Sequence, residues 1–148
     1  MKIAIACDHG GFELKQFIQN SLKDTHTILD QGTNSNTSVD YPDFASAACQ
    51  LVLTKQADCA ILVCGTGVGM SIAANKHNDI RCALCTNEFE SEMTRRHNNA
   101  NALALGGRVI GQELALRIVN TFLTTEYEGG RHQARLDKIK AIEEAQKK

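Results

Sequence analysis

The sequence lacks any apolar run approaching the roughly 20 residues that span a bilayer. Its first residues, MKIAIACDHGG, contain one lysine and a short apolar stretch that ends at Asp8, so we expect a first β-strand rather than a signal peptide. Net charge is nearly absent too, because the formal value of −1 creates no global field attracting nucleic acid or an anionic membrane. We therefore expect a cytoplasmic protein that binds neither, and any anion must be bound by a local cluster.

Internal repeats, low-complexity segments and a second-domain boundary are also missing, and Pro42 is the only proline. A chain of 148 residues has the size of one domain. Its hydrophobic content of 43% is ordinary for a soluble globular protein. The sequence therefore predicts a single domain covering residues 1–148.

Six cysteines are present, and Cys82 and Cys85 form a C-x-x-C spacing. On an extended strand, positions three apart point to opposite faces and lie about 10 Å apart, beyond disulfide reach. We expect reduced, buried thiols. A metal or redox pair at this spacing is the alternative.

Apolar runs of strand length alternate with segments whose apolar residues have helical spacing. The strand-like runs are residues 2–7, 26–33, 59–64, 80–85 and 100–107, and the helix-like segments are residues 11–23, 41–54, 70–76, 87–98, 111–123 and 129–148. Asp40 is a candidate N-cap, followed by Pro42 in the first helical turn. This alternation predicts an α/β fold: a doubly wound, Rossmann-like parallel sheet of about five strands, with helices on both faces and a C-terminal helix.

Ligands of such sheets bind beyond the carboxyl ends of the strands, so polar residues there are candidates for a site. Asp8 and His9 follow the first strand in CDHGG. A carboxylate and an imidazole at this point can exchange protons with a ligand or bind its hydroxyls. Alternatively, Asp8 caps the next helix and His9 is solvated.

The stretch CGTGVG, residues 64–69, joins the third strand to a helix. Gly65, Thr66, Gly67, Val68 and Gly69 would form a concave set of backbone N–H groups that binds a phosphate or an oxyanion. The glycine spacing is not that of a dinucleotide site, and no G-K-[ST] of a nucleotide P-loop follows.

Two further clusters are basic. RRHNNANALALGGR contains His97 and Asn98 at a helix end and Arg108 after the fifth strand. A histidine suits proton transfer at neutral pH, although it can equally cap a helix. In EGGRHQAR, Arg131 and Arg135 are four residues apart on one helix face, and two guanidinium groups there would clamp a phosphate or form a solvated basic surface.

Together these motifs closely resemble the B-type ribose-5-phosphate isomerases, within the sugar-phosphate isomerase family that includes galactose-6-phosphate isomerase. The matching stretches are CDHGG, VDYPDFA, CGTGVGMSIAANK, RRHNNAN, GGRV and YEGGRHQAR, which extend over nearly the whole chain. The resemblance implies a homodimer, or a tetramer, with active sites between subunits. It also implies interconversion of ribose 5-phosphate and ribulose 5-phosphate in the pentose phosphate pathway, with no metal or organic cofactor.

The resemblance further assigns roles to residues. Cys64 is implied as the base that moves a proton between C2 and C1, with the loop Gly65 to Gly69 holding the enediolate oxygens and Thr66 adding its hydroxyl. The remaining implied roles are proton movement between oxygens for Asp8, ring opening for His97, sugar contacts for Asn98 and Tyr41, and phosphate binding for His9, Arg108, Arg131 and Arg135, with His132 at the edge.

The residue types fit this chemistry. A thiol is a poor base at neutral pH unless loop amides and a helix N-terminus favour its thiolate, and Cys64 stands just before such a helix. Relatives that lack the thiol carry a glutamate six residues later, where this chain has Met70. Asn99 replaces an aspartate common among relatives, and we expect it to affect the tuning of His97.

Three alternatives stay open at this point. A six-carbon sugar phosphate such as allose or galactose 6-phosphate would use the same loop chemistry, separated only by pocket size near Tyr41 and His97. A non-catalytic phosphate-binding domain is disfavoured by the glycine spacing and by the presence of both Cys64 and His97. A thiol redox protein is disfavoured by the strand position of CALC.

Overall fold

The computed structural model describes residues 1–147. The strands are β1 Lys2–Cys7, β2 Thr27–Asp30, β3 Cys59–Cys64, β4 Cys82–Leu84 and β5 Ala102–Gly106. The helices are α1 Phe12–Leu22, α2 Tyr41–Leu53, α3 Val68–Asn75, α4 Glu88–Asn98, α5 Gln112–Thr124 and α6 Arg131–Gln146, with a short 3-10 helix at His9–Gly11 before α1.

The five strands form one parallel sheet in the order β2-β1-β3-β5-β4. Side chains alternate between its faces, so Ile3 and Ile5 pack with α1 and α5, whereas Ala4 and Ala6 pack with α2. Both faces are covered by helices, which explains why β1 and β3 are almost wholly apolar. The predicted doubly wound α/β fold with a C-terminal helix is confirmed.

The predicted start of α2 is confirmed only in part. Asp40 occupies the N-cap position and Pro42 lies in the first turn, but the Asp40 side chain makes no capping hydrogen bond. Extended backbone at Asp40 and the proline that follows are enough to begin the helix here. By contrast, Asn87 caps α4 directly, because its Oδ1 accepts from the Glu90 N–H (2.8 Å).

A buried ion pair ties α1 to the end of β2. The Nζ of Lys15, a residue with no exposed surface, donates to Asp30 Oδ1 (2.7 Å) and to the Thr33 carbonyl (2.7 Å). Burial alone would raise the pKa of Asp30, but hydrogen bonds from Lys15 and from the Gly32 N–H outweigh it and hold that pKa below its usual value. The pair fixes the first residues of the loop between β2 and α2.

The cysteines of residues 1–147 are all free thiols. Cys85 packs in the core beneath α1 and α5, whereas Cys82 packs on the α2 and α3 side, so the predicted opposite orientation of the C-x-x-C pair is confirmed. Burial raises the pKa of Cys7 to about 11 and that of Cys85 to about 12. These thiols are therefore protonated core side chains at neutral pH.

No helix in the described part of the chain is both long and apolar enough to cross a membrane.

Candidate active site

The strand order reverses between β1 and β3, because β1 continues to β2 on one side of the sheet and β3 leads to β4 and β5 on the other. The carboxyl ends of β1 and β3 therefore open a crevice, where α/β proteins bind their ligands. The two loops touch there: a Cβ added to Gly10 would lie 3.1 Å from the Gly65 nitrogen. CDHGG and CGTGVG thus form one surface.

Asp8 follows β1 and is 8% exposed. Its Oδ1 accepts hydrogen bonds from the N–H groups of Gly10 (2.9 Å) and Gly11 (3.1 Å). The alternative raised from the sequence, a capping carboxylate, is therefore present in the structure. Both bonds go to Oδ1, so Oδ2 can exchange a proton or a hydrogen bond with a ligand.

His9 has a defined tautomer in its neutral state. The Val39 N–H donates to His9 Nδ1 (3.2 Å), so the ring hydrogen is on Nε2. That N–H can donate to an anion. The loop between β2 and α2 therefore controls which His9 nitrogen is available to a ligand.

Cys64 ends β3 and is 5% exposed. Its Sγ accepts a hydrogen bond from the Gly67 N–H (3.1 Å). Cys7, by contrast, directs its own Sγ as a donor to the Thr33 carbonyl. The Cys64 sulfur therefore lies beside a backbone N–H donor and immediately before the N-terminus of α3.

The glycines of the loop allow close packing on both sides. Gly67 has φ of 80°, and a Cβ there would lie 2.6 Å from Leu84 Cδ1. A Cβ on Gly69 would lie 2.5 Å from Cζ of Tyr41, and one on Gly65 would lie 3.2 Å from a terminal nitrogen of Arg108. Glycine at these positions therefore brings a phenol and a guanidinium against the loop.

Thr66 and Val68 are the exposed residues of this loop. Thr66 Oγ1 accepts from the Val68 N–H (3.3 Å), which holds the hydroxyl over the start of α3. We call this cluster the carboxyl-edge site; it consists of Asp8, His9, Tyr41, Cys64, Gly65, Thr66, Gly67, Val68, Gly69 and Arg108.

His97 and Asn98 lie at the opposite edge of the sheet. Helix α4 runs back from the end of β4 and finishes near the start of β5. The Asn98 carbonyl there accepts from Nε of Arg81, the residue before β4. Cys64 pairs with Gly106 at the other end of β5. A strand of this length separates the two edges by about 13 Å at least.

Arg131, His132 and Arg135 join His97 at this edge. The His97 and His132 rings are stacked, with centroids 4.2 Å apart and planes inclined by 16°. Arg131 and Arg135 are exposed in the first turns of α6, whereas His132 is 5% exposed. We call this group the amino-edge cluster; it consists of His97, Asn98, Glu128, Arg131, His132 and Arg135.

Asn99 has a structural role at the end of α4, and its expected effect on the tuning of His97 stays a prediction. Asn99 ends α4 with left-handed backbone (φ of 45°), a conformation that asparagine tolerates well. Its Oδ1 accepts from Arg95 (2.9 Å) and does not bind His97. The side chain therefore stabilises the end of α4.

Glu128 is the residue that sequence reasoning missed. Its carboxylate lies 3.4 Å from His132 Nε2, four residues later in the chain. The spacing of four residues between Glu128 and His132 within YEGGRHQAR could have indicated this contact, because residues so spaced lie close together where the chain turns into α6. Ligand atoms of His97, Glu128 and His132 lie within 4.8 Å of one another, a spacing open to a metal ion. Arg96, 3.6 Å from the same carboxylate, and the parallel rings both disfavour a cation there.

The parallel doubly wound sheet, with a thiol and an amide loop at its switch point, defines an α/β protein with a small-molecule site. Residues 3–139 match the family described as Ribose/Galactose Isomerase, and the chain belongs to that family. The resemblance stated from the motifs is thereby confirmed.

Individual relatives agree closely. The chain is 47% identical to ribose-5-phosphate isomerase B of Escherichia coli over 144 residues, 97% of each chain. The structure of ribose-5-phosphate isomerase B from Clostridium thermocellum superposes with a TM-score of 0.98 at 50% identity, covering 99% of this chain and all of that one. The enzyme from Mycoplasma genitalium, solved with bound ribulose 5-phosphate, has a TM-score of 0.91 at 41% identity, with 97% and 96% coverage.

Proposed function

We propose that this chain interconverts D-ribose 5-phosphate and D-ribulose 5-phosphate. The relatives from Escherichia coli and Clostridium thermocellum are similar over almost their full length, and both are named ribose-5-phosphate isomerase B. The observation that carries the proposal is the Cys64 thiol, which accepts the Gly67 N–H at the entrance to an amide loop on the ligand-binding edge. This arrangement suits a base next to an oxyanion.

In the proposed reaction, Cys64 as thiolate takes the proton from C2 of the open-chain aldose. The electrons of the C2–H bond form the C1–C2 double bond, and the C1 carbonyl becomes an enediolate oxygen. The amides of the loop Gly65 to Gly69 that make no hydrogen bond within the loop, together with the Thr66 hydroxyl, stabilise that oxygen. Losing one such donor typically raises a barrier by roughly 3 kcal/mol. Cys64 then returns the proton to C1, while Asp8 moves the hydroxyl proton from O2 to O1 through Oδ2.

A second copy of the chain completes this site in our proposal. Ring opening needs an acid–base group near the sugar, and His97 lies at the far edge of its own sheet. In a homodimer the amino-edge cluster of one copy would face the carboxyl-edge site of the other. His97 would then open the furanose ring, and Asn98 and Tyr41 would bind the sugar hydroxyls.

The phosphate would be bound by groups from both copies. His9 Nε2 and Arg108 would donate from the carboxyl-edge site, and Arg131 and Arg135 from the amino-edge cluster, with His132 at its border. Guanidinium groups in pairs suit a phosphate because their donors match its oxygens. The mechanism uses no metal or organic cofactor, and we propose the cytoplasm and the pentose phosphate pathway as its setting.

A substrate panel tests the proposed sugar. With purified protein, kcat/KM for ribose 5-phosphate should exceed that for allose 6-phosphate and galactose 6-phosphate by about tenfold or more, because an added carbon must fit beside Tyr41. Ketose formation is followed by NMR under identical conditions for each sugar. A preference for either six-carbon sugar would replace the proposed substrate, and no turnover of any of them would remove the isomerase assignment.

A further inference from the structure

Glu128 lies at the junction of α4 and α6 and joins them in two ways. Its backbone N–H donates to the Arg96 carbonyl near the end of α4 (3.1 Å). Its carboxylate lies between two cationic or polar groups, with Oε2 3.4 Å from His132 Nε2 and Oε1 3.6 Å from Arg96 Nη1. Arg96 is itself held by Glu92 through Nε (2.8 Å), so the carboxylate has a braced position.

This carboxylate faces the Nε2 atom of the His132 ring. A carboxylate only accepts hydrogen bonds, so its approach to Nε2 favours a ring that carries its hydrogen there. The ring is also nearly fully buried, which limits its other orientations. The contact of Glu128 with Nε2 and the burial of the ring together restrict the orientation of His132.

His132 in turn restrains His97. One face of the His97 ring packs against the His132 ring, with the two centroids 4.2 Å apart. Rotation of either ring would break this stack. His97 is the proposed ring-opening group, and its productive geometry depends on the angle at which the imidazole meets the sugar. A carboxylate that orients His132 thus also orients His97 without touching the substrate.

We propose that Glu128 is a positioning residue for ring opening, acting on His97 through the stacked ring of His132. This inference rests on the proposed isomerase function and adds to it. The residue belongs to no proposed contact with the sugar or its phosphate. Substituting Glu128 should therefore slow the reaction of the furanose form and leave the rate of the enediolate step at Cys64 unchanged.

The kinetic test compares Glu128→Gln with a matched control, Glu126→Gln, which removes an exposed carboxylate two residues earlier. Turnover of ribose 5-phosphate, which is mainly a furanose, should fall about tenfold in Glu128→Gln. Exchange of the C1 protons of ribulose 5-phosphate with deuterium oxide should change by less than about twofold, since this open-chain ketose needs no ring opening. Glu126→Gln should match the wild-type protein in both measurements.

A spectroscopic test is independent of turnover. In the substrate-free wild-type protein, nitrogen-15 NMR should find His132 hydrogen on Nε2, and Glu128→Ala should change the shifts of both His132 and His97. The melting temperature of Glu128→Gln should stay within about 2 °C of wild type, because a partly exposed ion pair contributes little stability.

Equal losses in turnover and exchange, or unchanged shifts of both rings, would overturn the positioning role. Failure of the wild-type protein to act on either pentose phosphate would instead remove the isomerase proposal, and the ring shifts would still report on the coupling between Glu128 and the two histidines.

Discussion

At the carboxyl edge of the sheet, the polar groups stand on the ends of buried strands and on a glycine loop packed from both sides. At the amino edge, they stand on the end of α4 and the first turns of α6, where Arg131 and Arg135 are exposed. Backbone N–H groups, such as that of Gly67, dominate the first region. Charged side chains dominate the second, and apart from the His97–His132 stack they are more exposed.

This difference indicates that the two regions perform different steps. Preorganised amides stabilise developing charge without reorganising, so the carboxyl-edge site suits the proton transfer itself. Long guanidinium side chains adapt to a mobile phosphate, so the amino-edge cluster suits capture of the substrate. Substitutions in one region at a time should therefore affect proton transfer and substrate capture separately.

Removing the thiol should separate chemistry from binding most sharply. Cys64→Ala should lower kcat about 1,000-fold, because it removes the proposed base. The inhibition constant of inorganic phosphate should stay nearly unchanged, since the amides and guanidinium groups remain. Steady-state assays on ribose 5-phosphate measure both quantities. The control is Cys82→Ala, which truncates a half-buried thiol of β4 and should remain active. A Cys64→Ala protein that kept more than about a tenth of wild-type turnover would exclude the Cys64 thiol as the base.

Mixing two inactive variants tests whether the edges of different copies meet. Cys64→Ala and His97→Asn proteins are each expected to turn over ribose 5-phosphate poorly. After unfolding and joint refolding, activity should recover to about a quarter of wild type, because about half of the dimers are mixed and each has one intact site of two.

The control for this experiment is each variant refolded alone, whose turnover of ribose 5-phosphate should not increase. If an affinity tag on one variant co-purifies the other, so that mixed dimers are present, and activity still does not recover, then Cys64 and His97 do not serve one shared site.

A glycine substitution tests how rigid the carboxyl edge is. Gly67→Ala should lower the free energy of unfolding by about 2 kcal/mol, because a residue with a side chain is strained at this left-handed backbone. The added Cβ would also lie against Leu84 and the β5 backbone. Urea denaturation measures the loss.

Gly111→Ala is the matched control, since its φ is −77° and a Cβ there meets nothing within 4 Å. Its stability should change by less than about 0.5 kcal/mol. Equal effects of the two substitutions would mean that the loop is not held as tightly as its packing indicates.

Much of the fold could be predicted from local patterns. The bounds of β1 and β3 were predicted to the residue, because strands buried on both faces are unbroken apolar runs ended by Asp8 or Gly65. The start of α3 was not, since it begins at Val68, two residues before the predicted Met70. The left-handed Gly67 turns the chain directly into the helix, and periodicity cannot reveal such a turn.

The candidate site was predicted as a set of residues but not as an arrangement. The motifs and the family resemblance named Cys64, Asp8 and His97 as candidates, but the position of His97 at the other edge of the sheet was not predicted. Strict alternation of parallel strands and antiparallel helices contained that information, because α4 must return to the amino edge before β5 begins. The bond from Asn99 to Arg95 had no such signal, since it depends on how a helix end packs.

The sequence by itself determined that the chain is a doubly wound α/β domain of one isomerase family, with a thiol at the head of a glycine loop. Periodicity and glycine spacing are local properties, which a linear sequence states directly. Tertiary structure alone decided that the Gly67 N–H meets the Cys64 sulfur, that Val39 sets the His9 tautomer, and that a carboxylate and two stacked rings form at the far edge. The first of these contacts depends on the left-handed backbone at Gly67, and the others depend on packing of separate elements, whose distances no spacing in the sequence encodes.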